Sequence, residues 1–459
     1  MSSLLRRLLP LGMLFFAIFA HSALFGQESA DSSSVAVSPA TALENYLHNG
    51  DLTYHWEVIE TTQIGGVATY HLLLTSQTWR DIVWTHQLSI FVPTEISRPG
   101  ALLMITGGSN SNGAPDWVEE TGEHYLLSQI AKKSHAVTAL VRQVPNQPLF
   151  DSLQEDPLVA YTLYNYIKDG DMTWPLLFPM TKSAVRAMDA VTEFCAEELH
   201  TKIDGFFVTG GSKRGWTTWL AAAQDDRVRA AAPMVIDMLN IPASMLYQTQ
   251  VFGSYSDQIN DYDEAGVLQL LESEAGKQIV QMIDPYSYRH RLTMPKLLIM
   301  ATNDHYWVTD NVKNYIDSIP GINRLRYIPN AGHNMNGGEE AMETVGVFFA
   351  SLFSDQMFPT CSWKGVTRNH RLKIDVDMSR EDLIGAELWK ATSSSRDFRQ
   401  SAWESTPVEL PQEGNLLLDI PLSGKGYEAY YVNLIYQTEE GTPYKISTRI
   451  FMTGDGKLL

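Results

Sequence analysis

Between residues 53 and 92, aromatic and β-branched side chains recur at near-alternating positions in three runs: 54–59, 67–74 and 82–92. Period-two patterning of this kind predicts antiparallel, edge-type strands. The pattern then changes. Residues 101–106 (Ala-Leu-Leu-Met-Ile-Thr) form a short continuous apolar run, as expected of a strand buried on both faces. Helical spacing follows over 119–132, an apolar strand over 136–141, and further helical spacing over 158–167 and 181–199. Apolar strands are expected at 206–209, 228–236, 295–301 and 325–328, with helices over 217–224, 312–318 and 339–353.

Strands alternating with helices imply an α/β fold, a doubly wound, mostly parallel sheet covered on both faces. We place this domain at residues 40–358, opening with a short helix (40–47) after a loose Ser/Ala/Asp-rich stretch (27–39). Residues 237–292 carry no strand pattern and are rich in Tyr, Gln, Asp and Met, which suits a helical cap. Beyond residue 359 the character shifts to short strands at 372–376, 416–420, 428–436 and 445–452, divided by polar turns. This reads as a separate all-β sandwich module over 359–459.

Composition narrows the partners. The 459-residue chain is 44% hydrophobic with a net charge of −19, so nucleic acid and anionic membrane, which need a basic face, are not expected partners. A small molecule, peptide or glycan is the expected substrate. Arg6-Arg7, an apolar run over 8–20 and small residues at Ala20, Ser22, Ala23 and Gly26 have the form of a signal peptide, residues 1–26. The competing reading is an uncleaved anchor. A secreted or periplasmic, soluble mature protein is expected. Cys195 and Cys361 lack metal-ligand spacing and either pair as one disulfide or stay as buried thiols. No cofactor is implied.

The chemistry gathers at Phe206-Phe207-Val208-Thr209-Gly210-Gly211-Ser212-Lys213-Arg214-Gly215-Trp216: an apolar strand, a glycine-flanked serine, then a helix start. A strand–turn–helix of this type forces the serine into a strained backbone and pushes its hydroxyl over the end of the sheet. Small residues are needed where strand and helix cross; here they fall at Gly210 and Gly215, giving G-x-S-x-x-G. A serine hydroxyl needs a base, and the base needs a carboxylate to orient it. Ser212, Asp304 and His333 occur in the chain order of α/β-hydrolases, each just after an expected strand. Asp237 and Asp310 are rival acids. Backbone N–H groups of Lys213 and of the Gly107-Gly108 turn would form the oxyanion site.

Lys213 and Arg214 oppose the positive end of the following helix dipole. Either a loop acid pairs with Arg214, or the charge serves an anionic substrate, and Arg214 enters the substrate-binding set with Trp307. Trp307 and the nearby Trp216 and Trp219 otherwise read as packing residues.

Four segments carry a family resemblance: residues 209–219 around the serine, Val235-Ile-Asp-Met-Leu-Asn240, Asp284-Pro-Tyr-Ser-Tyr-Arg289 and Tyr327-Ile-Pro-Asn-Ala-Gly-His333. Together they resemble the PhoPQ-activated pathogenicity-related protein family, with relatives among autocrine proliferation repressors. The resemblance implies an α/β-hydrolase-like domain, a secreted or periplasmic setting and a link to envelope stress or virulence; it supplies no substrate. Three functions stay open: an exported serine hydrolase of esters or amides, a non-catalytic secreted binding protein, and a carbohydrate (uronate) esterase, since glucuronoyl esterases are similar in their Gly-x-Ser-x-x-Gly turn with a basic residue after the serine.

Overall fold

A computed structural model describes residues 37–352 and 358–459. The expected leader, residues 1–26, lies outside the described residues. A short helix α1 (Ala42–Leu47) precedes an antiparallel meander of β1 (His55–Ile64), β2 (Val67–Trp79) and β3 (Ile82–Val92). The chain then passes through β4 (Gly100–Ile105), a small hairpin of β5 (Asn110–Ser111) and β6 (Ala114–Pro115), helix α2 (Gly122–Ser134) and β7 (Val137–Val141). Helices α3 (Glu155–Asp169) and α4 (Leu177–Glu197) lead to β8 (Gly205–Gly211), helix α5 (Lys213–Gln224) and β9 (Val228–Met234).

Residues 237–292 contain no strand. They form α6 (Ile241–Phe252), α7 (Asn260–Glu264), α8 (Glu274–Ile283) and a 3₁₀ segment, Pro285–Arg291. Strands β10 (Lys296–Ala301) and β11 (Asn323–Ile328) and helix α9 (Glu339–Ser351) complete the α/β part. The helix expected at 312–318 is two 3₁₀ turns, Asn311–Asn314 and Ile316–Ser318.

The strand order is β1-β2-β3-β7-β4-β8-β9-β10-β11, parallel from β7 to β11. This is the α/β-hydrolase architecture. Burial explains the unbroken apolar runs. Along β4, Ala101, Leu103 and Ile105 enter the core that holds α4 and α5, while Leu102 and Met104 enter the core under α2 and α9. Because both faces are covered, alternation disappears from the sequence.

The C-terminal residues form two facing sheets. One consists of β12 (Cys361–Arg368), β13 (Arg371–Met378) and β16 (Leu416–Pro421). The other contains β14 (Leu383–Ser393), β15 (Glu404–Val408), β17 (Tyr427–Gln437) and β18 (Pro443–Ser447), with β19 (Phe451–Gly454) and β20 (Lys457–Leu458) attached. Leu372, Ile374 and Val376 meet Val432, Leu434, Tyr436 and Ile446 between them. Across the boundary read near residue 359, β18 pairs with β11 through Leu325 and Ser447, so the central sheet runs on into the C-terminal one. An open β11 edge would offer unpaired amides and carbonyls, and β18 covers it. Cys195 lies in the α4 core and Cys361 in the C-terminal core, both as buried free thiols, so the disulfide alternative is not realised.

Candidate active site

Parallel strands deliver their following loops to one end of the sheet, and three such loops meet here. Ser212 follows β8 with φ 56° and ψ −127°, a left-handed-side conformation that costs a non-glycine residue strain. Its N–H donates to the Met234 carbonyl at 2.9 Å, which helps hold the turn. The two glycines are required by contact. A Cβ on Gly210 would stand 2.8 Å from the Arg214 carbonyl oxygen, and one on Gly215 would stand 2.8 Å from that of Met234. Neither backbone can move aside, so strand and helix can cross only over glycine.

Asp304 follows β10 and His333 follows β11. His333 Nε2 lies 2.8 Å from Ser212 Oγ, and His333 Nδ1 lies 2.8 Å from Asp304 Oδ2. An ionised carboxylate only accepts, so Nδ1 carries the proton and Nε2 is left to accept from the serine hydroxyl. The other Asp304 oxygen accepts the Tyr306 N–H at 2.8 Å, and the Tyr306 ring lies against the imidazole with centroids 4.1 Å apart. The rival acids are engaged elsewhere. Asp237 accepts from the Tyr315 hydroxyl at 2.7 Å, and Asp310 takes Tyr247 and Lys313. Burial, together with the nearby negative charges of Asp304 and Asp310, pushes the Asp237 carboxyl up to about 7 despite its hydrogen bonds.

The loops carrying acid and base are tied together and braced from the C-terminal region. The Asn330 N–H donates to Thr302 Oγ1 at 2.8 Å. The Asn330 side chain donates to the Trp403 carbonyl at 2.9 Å and accepts the Trp403 N–H at 2.8 Å, while Asn303 Nδ2 donates to the Ser401 carbonyl at 2.7 Å. The connection between β14 and β15 thus acts as a bracket behind His333 and Asp304. Nothing local in the sequence signals this.

Arg214 departs from the substrate-binding expectation. Its guanidinium grips Glu155 with both terminal nitrogens, at 2.7 and 2.6 Å, and Nε donates to the Val144 carbonyl. It is drawn back against Gly107, where a Cβ would sit 2.7 Å from Nη2. The ion-pair alternative therefore describes it. Lys213 Nζ is likewise 2.8 Å from Glu155 and 3.4 Å from Asp156. Burial disfavours ionisation of Glu155, but Arg214 and Lys213 override it and hold the carboxyl well below the usual range. Glu155 and Asp156 were not singled out in the sequence; the unexplained cation pair was the signal that an acid must lie close.

The Lys213 N–H is the first amide of α5, one of the amides a helix leaves without an intrahelical acceptor. β4 and β8 pair Ile105 with Gly210, so the chain leaving β4 through Gly107 and Gly108 passes beside the serine turn. Gly108 has φ +146°, and a Cβ there would press on Gln143.

Beside Ser212 a cavity with about 700 Å³ of empty space, partly open to solvent, runs beneath residues 237–292. Trp307 lines it, as does Trp216, which had been read only as packing. Trp307 Nε1 donates to the Val235 carbonyl at 3.2 Å, fixing the indole. Two tyrosines, Tyr262 and Tyr306, close the polar end by donating to Asp156 at 3.0 and 3.4 Å. Among the described residues no group of three His, Cys, Asp or Glu is arranged to hold a metal ion, and no helix is long and apolar enough to cross a membrane.

Comparison with known proteins places these features in a family. The sequence profile of the PhoPQ-activated pathogenicity-related protein family matches residues 43–399. Autocrine proliferation repressor protein A of Dictyostelium discoideum is 34% identical over 439 residues, covering 88% of this chain and 87% of its own. Among solved structures, acetyl xylan esterase 1 from Thermoanaerobacterium sp. JW/SL YS485 is 14% identical with a TM-score of 0.48, over 69% of this chain and 94% of that one. An acetyl xylan esterase from Paenibacillus sp. R4 is 14% identical with a TM-score of 0.49, over 69% and 93%. On its sequence, this chain belongs to the PhoPQ-activated pathogenicity-related protein family.

Proposed function

We propose that this protein is an exported serine hydrolase that cleaves an ester or amide by way of an acyl-enzyme on Ser212. The observation that carries the reading is the unbroken relay from Ser212 Oγ through both imidazole nitrogens of His333 to Asp304, 2.8 Å at each link. In the first step the serine oxygen bonds to the substrate carbonyl carbon as its proton passes to His333 Nε2. The leaving group then departs with that proton, and Asp304 stabilises the imidazolium in between. The developing oxyanion is met by the N–H of Lys213 and an N–H from the Gly107-Gly108 turn. Water repeats the sequence, releases the acid and restores the serine. Export is supported by the leader pattern in residues 1–26.

Hydrolysis of p-nitrophenyl esters by the folded protein tests the reading. Wild type should turn over the ester, and Ser212→Ala should fall to the rate of buffer. Equal rates for the two proteins would leave a non-catalytic binding role on the same scaffold.

A further inference from the structure

Resting on the hydrolase reading, we infer that the acyl half of the substrate is an uncharged, apolar group longer than acetyl, seated in the cavity beside Ser212. Position comes first. The cavity is walled by Ser212 and Lys213, the nucleophile and the proposed oxyanion donor, but not by His333. The leaving group must collect its proton from His333 Nε2 and so lies on the imidazole side. What extends from the carbonyl into the cavity is therefore the acyl chain.

Chemistry comes second. The deep wall is aliphatic, with Met245, Val267, Leu271, Ile279 and Val280 among its residues. Most are contributed by the capping segment, and none offers a charge or a strong hydrogen bond. The polar end carries no free charge either. Lys213, whose side chain is 7% exposed, is neutralised by Glu155 and Asp156, and Arg214, 11% exposed, is bound to Glu155. A uronate carboxylate would find no unpaired cation, and a sugar would have to leave its hydroxyls unsatisfied against methyl groups. An alkyl or aryl chain loses nothing there and gains the transfer free energy of each methylene.

The test keeps the leaving group constant and varies the acyl chain. With p-nitrophenyl acetate, butyrate, hexanoate and octanoate, kcat/KM should rise about fourfold per methylene until the cavity is full, the factor that burying a CH₂ supplies. Val280→Phe, which fills the wall, should lower the hexanoate-to-acetate ratio at least tenfold, and Met245→Ala should move the optimum to a longer chain. Melting temperatures establish that both variants fold. Ser212-dependent hydrolysis that is fastest on acetate, indifferent to chain length, or faster on a uronate ester overturns the inference and leaves the hydrolase reading standing. Absence of Ser212-dependent hydrolysis on every ester overturns both.

Discussion

Replacing Asp304 by Asn is the substitution whose outcome the geometry constrains most. The amide matches the carboxylate in shape, and its oxygen can still accept the Tyr306 N–H, so the turn after β10 is retained. What changes is the partner of His333. Charge stabilisation of the imidazolium is lost across a 2.8 Å contact to a carboxylate that is almost wholly buried. At an effective dielectric constant of about 20, Coulomb's law gives roughly 6 kcal/mol at this separation, equivalent to about 10⁴ in rate. The amide NH₂ can also donate to Nδ1, which places the ring proton on Nε2 and leaves the serine without an acceptor; an Asp→Asn change at this place in a protease triad costs about the same factor. We expect kcat/KM for an activated ester to fall about 10⁴-fold, with recovery toward high pH as hydroxide takes over as base. The assay is steady-state ester hydrolysis from pH 6 to 10, beside circular dichroism to establish the fold. A folded Asn variant within about tenfold of wild type at pH 7 would refute the assignment of Asp304.

Three other substitutions probe the surroundings. Glu155→Gln leaves Lys213 with Asp156 and takes the carboxylate charge away from Arg214, which keeps its bond to the Val144 carbonyl; because 40% of the Glu155 side chain is exposed, the loss should be about 2 kcal/mol rather than the about 3–5 of a fully buried pair, read from denaturant midpoints, and an unchanged midpoint would show that the cluster is not needed. Asp237 is protonated in the fold up to about pH 7 but ionises near 3.8 when unfolded, so its contribution to stability declines as pH rises across that window; Asp237→Asn, which escapes the decline, should gain up to about 4 kcal/mol relative to wild type between pH 4 and 8 in urea unfolding, and a pH-independent difference would contradict this. Asn330→Ala removes two hydrogen bonds to Trp403 and should cost about 1–2 kcal/mol of stability and about tenfold in kcat/KM, whereas unaltered ester kinetics would show that the bracket does not position His333.

Some of this was readable from the chain. The serine turn was visible because its glycines are imposed by backbone contact within one strand–turn–helix unit, and the parallel sheet because strands covered on both faces lose their alternation. Asp304 and His333 each follow a short apolar strand, so their places in the chain could be read, and the structure sets both within 2.8 Å contacts of the relay. Partner choice was not legible. Glu155 and Arg214 are far apart in sequence, and only folding reveals that the guanidinium is engaged by Glu155. The cavity wall was hidden for a similar reason: its aliphatic residues sit on short helices and turns with no strand pattern, and their common surface exists only in three dimensions. Pairing of β18 with β11 joins segments about 120 residues apart, and no local pattern specifies such a register. Strands β12 and β15 escaped for another reason. β12 alternates buried and exposed positions, but Lys364, Gly365 and Arg368 interrupt its β-formers, and β15 is largely exposed.

The central claim is that the Ser212 hydroxyl is the activated nucleophile, and covalent capture addresses it directly. After brief exposure to a small fluorophosphonate, peptide mass mapping of the native protein should place a single phosphonyl group on the peptide containing Ser212, with none acquired by Ser212→Ala and a much slower reaction in Asp304→Asn. A folded wild-type protein that remains unmodified, or one modified equally at another serine, would contradict the account.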